Sequence, residues 1–117
     1  MTREEWGKVA VSLDGWPFHP PDDYKQHPRR NRRGIEWIRE EVPWGDRVPD
    51  VDDQGTGGIL LHLLGDWAGF VVWSRERSGW LDTYNGVRGA PCFASLGRAC
   101  VHHAKHRGQW WPKGTVA

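Results

Sequence analysis

This sequence has no long apolar run, no cysteine pattern and almost no methionine. Its 117 residues include two Cys, one Met and three Phe. The longest apolar stretches, Ile59 to Leu64 and Phe70 to Trp73, are interrupted by His62 or stop after four residues. A bilayer-crossing helix needs about 20 apolar residues, so no membrane span is expected. Two cysteines make no disulfide framework, and Cys92 and Cys100 are expected as reduced thiols. The opening residues MTREEW carry charge and no apolar stretch, which reads against a secretory or transit signal and points to the cytoplasm. Acids are missing too: none follows Asp82.

What the chain has in excess is tryptophan, nine against three Phe and two Tyr. A buried indole N–H needs an acceptor, so a small core cannot readily take them all, and some Trp are expected at the surface as contact residues. A chain of this length buries roughly two-thirds of its unfolded surface around one core. One domain over 1–117 is expected, with an N-terminal part to residue 58 and a C-terminal part from 59. Charge divides along the same line. Residues 1–58 hold nine Lys/Arg and twelve Asp/Glu, a balance of −3; residues 59–117 hold seven and three, a balance of +4.

The expected fold class is α+β: a small antiparallel sheet of three or four strands packed by a C-terminal helix, with a second short helix and a Pro-rich N-terminal arm. Trp6 to Leu13 alternates around Val9, Val11 and Leu13 and reads as a strand. Residues 14–28 hold four prolines and read as a loop or extended arm. Ile35, Ile38 and Val42 recur at helical spacing before Pro43, predicting a helix over about 33–42. Ile59 to Leu64, Ala68 to Ser74 and Trp80 to Tyr84 read as a three-stranded meander. Asn85-Gly86 is a hairpin signal that would return Val87 to Gly89 as a fourth strand. Ala94 to Arg107 forms the last helix, capped by Ser95 and stopped by Gly108.

On a helical wheel that last helix divides. Phe93, Leu96, Cys100, His103, Ala104 and the stem of Arg107 face the core, while Arg98, His102, Lys105 and His106 form a basic outer face. Such a face suits a phosphate backbone or an acidic protein surface. A second basic cluster, Arg29, Arg30, Arg32 and Arg33, crowds the start of the predicted helix at Ile35. Cations repel the positive end of a helix dipole there, and a bound phosphate would relieve that. Protonation of His102, His103 and His106 would add charge and tighten anion binding between about pH 7.5 and 6.

Aromatic contacts come from two places. Trp80 and Tyr84 would form a platform beside Arg75, Arg77 and Arg88 if their side of the sheet is uncovered. Trp110 and Trp111 near the C-terminus would be exposed anchors. Metal binding ranks lower. Cys92, Cys100, His102 and His106 are zinc-ligand types, and His102 with His106 has the i, i+4 spacing, but the wheel separates Cys100 from that pair. Three further patterns fail. Residues 54–58 are glycine-rich but lack a P-loop Lys and precede a predicted strand. Asp50, Asp52 and Asp53 resemble a calcium loop without its closing Glu, since Leu61 stands there. Cys92 lacks an orienting partner for nucleophilic work.

The expected function is therefore non-catalytic: a binding module for nucleic acid or another polyanion, with no cofactor. The competing expectation is an inhibitor or adaptor that docks Trp onto a host protein. The excess of Arg over Lys, twelve to four, suits a GC-rich genome and a phage or mobile-element origin.

Overall fold

The computed structural model describes residues 1–16, 34–39 and 47–110. Its class is α+β, with one two-stranded and one three-stranded antiparallel sheet and helices packed on them. In chain order the elements are α1 (Arg3–Ser12), β1 (Trp37–Arg39), β2 (Arg47–Pro49), α2 (Gln54–Leu63), a 3₁₀ segment (Gly65–Phe70), β3 (Val71–Ser74), β4 (Gly79–Asp82), β5 (Cys92–Phe93) and α3 (Leu96–Arg107). Among the described residues, no helix is long and apolar enough to cross a membrane.

The N-terminal strand reading is overturned, because Trp6 to Leu13 lies largely in α1. A capping box decides it: the Thr2 hydroxyl accepts from the Glu5 backbone N–H, and the Glu5 side chain accepts from the Thr2 N–H. Those bonds satisfy donors that otherwise have no partner in the first helical turn. Burial then follows helical spacing, with Trp6 and Ala10 inside and Val11 exposed. The predicted 33–42 helix is overturned in its described part. There β1 pairs antiparallel with β2, Trp37 opposite Pro49 and Ile38 opposite Val48. The Asp50 N–H extends that ladder to the Glu36 carbonyl at 2.7 Å.

The first strand of the predicted meander is also a helix. Asp53 caps α2 by accepting from the Thr56 N–H at 2.9 Å, so the glycine-rich residues 54–58 form its first turns. Leu60, Leu63 and Leu64 lie inward at i, i+3 and i+4. A six-residue apolar run is compatible with either a buried strand or a buried helix, and the cap selects the helix.

The meander itself is β3-β4-β5. Ala68 to Phe70 belong to the 3₁₀ segment, and β4 ends at Asp82 rather than Tyr84. Asn85-Gly86 does not make the expected hairpin. The turn closes from the Gly86 N–H to the Thr83 carbonyl at 2.9 Å, with Gly86 at φ +105° and Asn85 not in the left-handed region. Val87 to Gly89 remain outside the ladder, and Cys92–Phe93 supplies the third strand. The C-terminal helix forms as expected. Ser95 caps it through the Arg98 N–H, and Gly108 closes it in the left-handed region at φ +85°.

The core lies where α3 crosses the sheet and packs against α1 and α2, with Trp6, Val51, Leu60, Leu64, Ala99, Cys100, Val101 and Ala104 buried. Gly57 on α2 and Gly97 on α3 permit this approach. A Cβ on Gly97 would sit 1.9 Å from the Val51 carbonyl oxygen, and one on Gly57 3.1 Å from the Gly97 nitrogen. Backbone cannot step aside as a flexible side chain can, and overpacking costs about 1–3 kcal/mol or more. Gly97→Ala is therefore expected to lower unfolding stability by about 3 kcal/mol in urea denaturation.

Candidate functional site

Beneath α3 lies a buried carboxylate. Asp82 ends β4 on the face that also carries Val71 and Trp80, which is the face α3 covers. Its side chain is 3% exposed. A buried carboxylate is very costly without donors, and here there are three. Oδ2 accepts from His102 Nδ1 at 2.6 Å, while Oδ1 accepts from His103 Nδ1 at 3.2 Å and from the Tyr84 backbone N–H at 3.1 Å. Burial pushes the Asp82 carboxyl up, but the donors from His102, Tyr84 and His103 outweigh it and hold it below the ordinary Asp value.

The two histidines then diverge. His103 is fully buried, stacked on Phe70 at 5.7 Å with the Tyr84 edge 5.0 Å away and Trp67 at 5.9 Å. Burial lowers its pKa, against the opposing pull of Asp82, so the neutral ring donates Nδ1–H to the carboxylate and leaves Nε2 without a partner. His102 is 23% exposed and rests against Phe93 at 4.8 Å. Its Nε2 faces outward and lies 2.8 Å from Nε2 of the exposed His106. A cavity of about 170 Å³ opens beside this pair, lined by Asp82, Tyr84, Asn85, Arg88 and His102 among others.

Of the predicted basic outer face, Lys105 and His106 are exposed and His102 is at the rim. Arg98 is not free. Its Nε and Nη2 donate to the two Asp52 oxygens at 2.7 Å each, and the Ser95 hydroxyl donates to the same carboxylate. Arg3 forms a matching pair with Asp50. No acid lies on α3 itself, and its partners come from elsewhere: Asp82 on β4 and Asp52 before α2. Asp53 is used as the α2 cap, so the three acids that resembled a calcium loop each hold a protein partner.

The aromatic expectations change more. Trp80 is half-buried on the α3-covered face, so it is not part of an uncovered platform. Tyr84 is 38% exposed and sits edge-on to Phe70. The exposed indole of the sheet is Trp73, 52% exposed and edge-on to Trp80 at 5.4 Å. Trp110 is fully buried and is not an anchor. Its indole N–H donates to the Ala10 carbonyl at 3.0 Å and its ring leans on Trp16 at 5.6 Å. Trp111, with Arg29, Arg30, Arg32 and Arg33, lies outside the described residues.

The metal candidates do not assemble as a set of four. Cys100 is buried in the core, and burial pushes its thiol far up. Cys92 pairs with Leu81, on the sheet face opposite the histidines. Among the described residues, no group of three or more His, Cys, Asp and Glu converges on a metal position. Sequence reasoning missed Asp82 as the centre of the site. The signal was present, since Asp82 is the one charged residue in Trp80 to Tyr84 and shares a period-2 face with Trp80.

Comparison of the chain with known protein families, with curated proteins and with solved structures finds no match.

The Arg98–Asp52 pair generates a two-part prediction. Arg98 hydrogen bonding, followed by Ser95 and the nearby cations, holds the Asp52 carboxyl below its ordinary value of 3.8 despite burial. A carboxyl with a depressed folded pKa stabilises above its unfolded value and loses that contribution as pH falls through the folded one. Asp52→Asn is expected to cost about 2 kcal/mol at pH 7, and thermal melts should show the gap to the native chain shrinking as pH drops below about 4.

Proposed function

We propose that the protein is a small binding module that grips a nucleic-acid backbone, or a similar polyanion, through the outer face of α3 and the adjoining 84–91 loop. The carrying observation is that Lys105 and His106 stand in solvent with His102 at the rim, next to a cavity lined by His102 and Arg88. Lys105 and Arg88 supply cationic donors for phosphate oxygens, and clustered positive charge raises the local concentration of anions. Asp82 adds orientation: its grip on Nδ1 aims the His102 Nε2 outward. Support for binding over catalysis comes from the end of this chain of contacts. His102 Nε2 meets a second imidazole rather than a hydroxyl or thiol nucleophile. Arg29, Arg30, Arg32 and Arg33 remain part of the proposed contact set, whereas Arg98 is left out of it. Such a module works in the cytoplasm, where Cys92 and Cys100 stay reduced.

A second reading, docking on a host protein, is favoured by one feature. Trp73 stands 52% exposed on the sheet, and Trp is the residue type most enriched at interface hot spots.

Titration of the chain against duplex and single-stranded DNA and RNA across a salt series separates the two. Polyanion binding is expected to weaken linearly in log–log form with salt, and Lys105→Ala with Arg88→Ala to reduce the slope by about one unit for each cation removed. Arg98→Ala is expected to lower stability and leave that slope unchanged. Affinity that ignores salt, or a partner from the source cell that survives nuclease and is released by Trp73→Ala, favours the protein-docking reading instead.

A further inference from the structure

We infer that His102 and His106 form a two-imidazole site for a divalent transition-metal ion with right-angle ligand preference, Cu²⁺ or Ni²⁺, in which Asp82 orients His102 from behind. Such a site needs no polyanion, and it stands whether or not the outer face of α3 holds one.

Three features of the pair carry it. The first is the freedom of the ligand atoms. Asp82 takes the His102 Nδ1–H at 2.6 Å, which leaves Nε2 as the one nitrogen of that ring able to ligate. One helical turn on, His106 presents its own Nε2 from an exposed ring. The second is spacing. At metal–nitrogen bonds of about 2.0 Å, two ligand nitrogens lie about 2.8 Å apart at a right angle and about 3.3 Å apart at the tetrahedral angle. The two Nε2 atoms are 2.8 Å apart. That distance matches neighbouring positions on a square-planar or octahedral ion, the geometries that Cu²⁺ and Ni²⁺ favour, once the rings turn from each other toward the ion.

The third is the contact behind the ligand. A metal-bound imidazole characteristically gives its other N–H to a carboxylate, which fixes its tautomer and raises its basicity. Asp82 is that carboxylate, 3% exposed and held in turn by the Tyr84 N–H and His103. Solvent reaches the pair from the His106 side, so water or an anionic oxygen completes the coordination. On binding, the Nε2···Nε2 hydrogen bond breaks and both Nε2 lone pairs turn to the ion, which lies to one side of the line between them. The proton of that bond moves to His106 Nδ1 or to solvent.

Calorimetric titration of the full chain with CuCl₂, NiCl₂ and ZnCl₂, paired with electron paramagnetic resonance of the Cu²⁺ complex, tests the site. One Cu²⁺ per chain is expected, with coupling to two nitrogens and with Ni²⁺ bound more tightly than Zn²⁺. Cys92→Ser should change none of this. Asp82→Asn should weaken binding about 10-fold, as loss of an orienting carboxylate does. His106→Gln, at an exposed position where folding is not at stake, should weaken it further and remove one of the two nitrogens from the spectrum. Unchanged affinity in His106→Gln, a single coupled nitrogen in the native chain, or a preference for Zn²⁺ over Ni²⁺ would overturn the proposal.

Discussion

The Asp82 carboxylate is the constraint around which the C-terminal half is arranged. Placing an ionised group 3% exposed beneath a helix is tolerable only if every lone-pair direction finds a donor. Two of the donors are consecutive residues of α3. Consecutive helical side chains diverge by about 100°, so His102 and His103 can reach one carboxylate only if it lies over the arc between them. That requirement fixes the rotation of α3. It turns Ala99 inward with His103 and leaves Lys105 in solvent, while His106, on the same side one turn on, stands exposed beyond the carboxylate. The third donor, the Tyr84 N–H, ties the exit of β4 to the same point, and the 84–91 loop starts from there.

Much of this was legible in the sequence, and the part that was not has physical causes. Ser95 and Gly108 mark the ends of α3, because a hydroxyl cap and a left-handed glycine are local signals that tertiary contacts rarely override. The inner and outer arcs of that helix follow from spacing alone. Ile59 to Leu64 was ambiguous for the opposite reason: six residues with His62 as their single polar position are too few to reveal a period. The neighbouring glycines misled in the same way. Gly57 lacks a side chain because α3 passes close to it, with no turn required there. In α1 the alternation of Val9, Val11 and Leu13 spans too few residues to outweigh the Thr2–Glu5 capping box.

The charge asymmetry between the halves has a structural resolution that no reading along the chain could supply. Asp52, in the acidic half, meets Arg98 of the basic half 46 positions later, while Asp50 is neutralised within its own half by Arg3, 47 positions earlier. Arg98 therefore belongs to the fold, and the wheel that grouped it with Lys105 and His106 identified exposure rather than availability. Tryptophan shows the same limit. Trp110 lies near the end of the described chain, yet the Ala10 carbonyl, in the last turn of α1, gives its N–H an acceptor, and the indole is drawn fully inside. A terminal position favours exposure only when no such acceptor is in reach.

Among the described residues, His102 is the side chain that joins the buried carboxylate to the surface, and its two nitrogens do not act independently. A cation that arrives at Nε2, whether proton or metal, withdraws electron density from the ring and makes Nδ1–H a stronger donor to Asp82. The Asp82 carboxylate also holds the Tyr84 N–H and His103, so a tighter grip on His102 is felt at the mouth of the cavity and in the aromatic cluster of Phe70, Trp67 and Tyr84. The coupling runs the other way as well, because whatever displaces the 84–91 loop loosens the carboxylate that aims His102. A ligand of the kind proposed on the outer face of α3 would therefore be coupled to order in that loop through the same three hydrogen bonds.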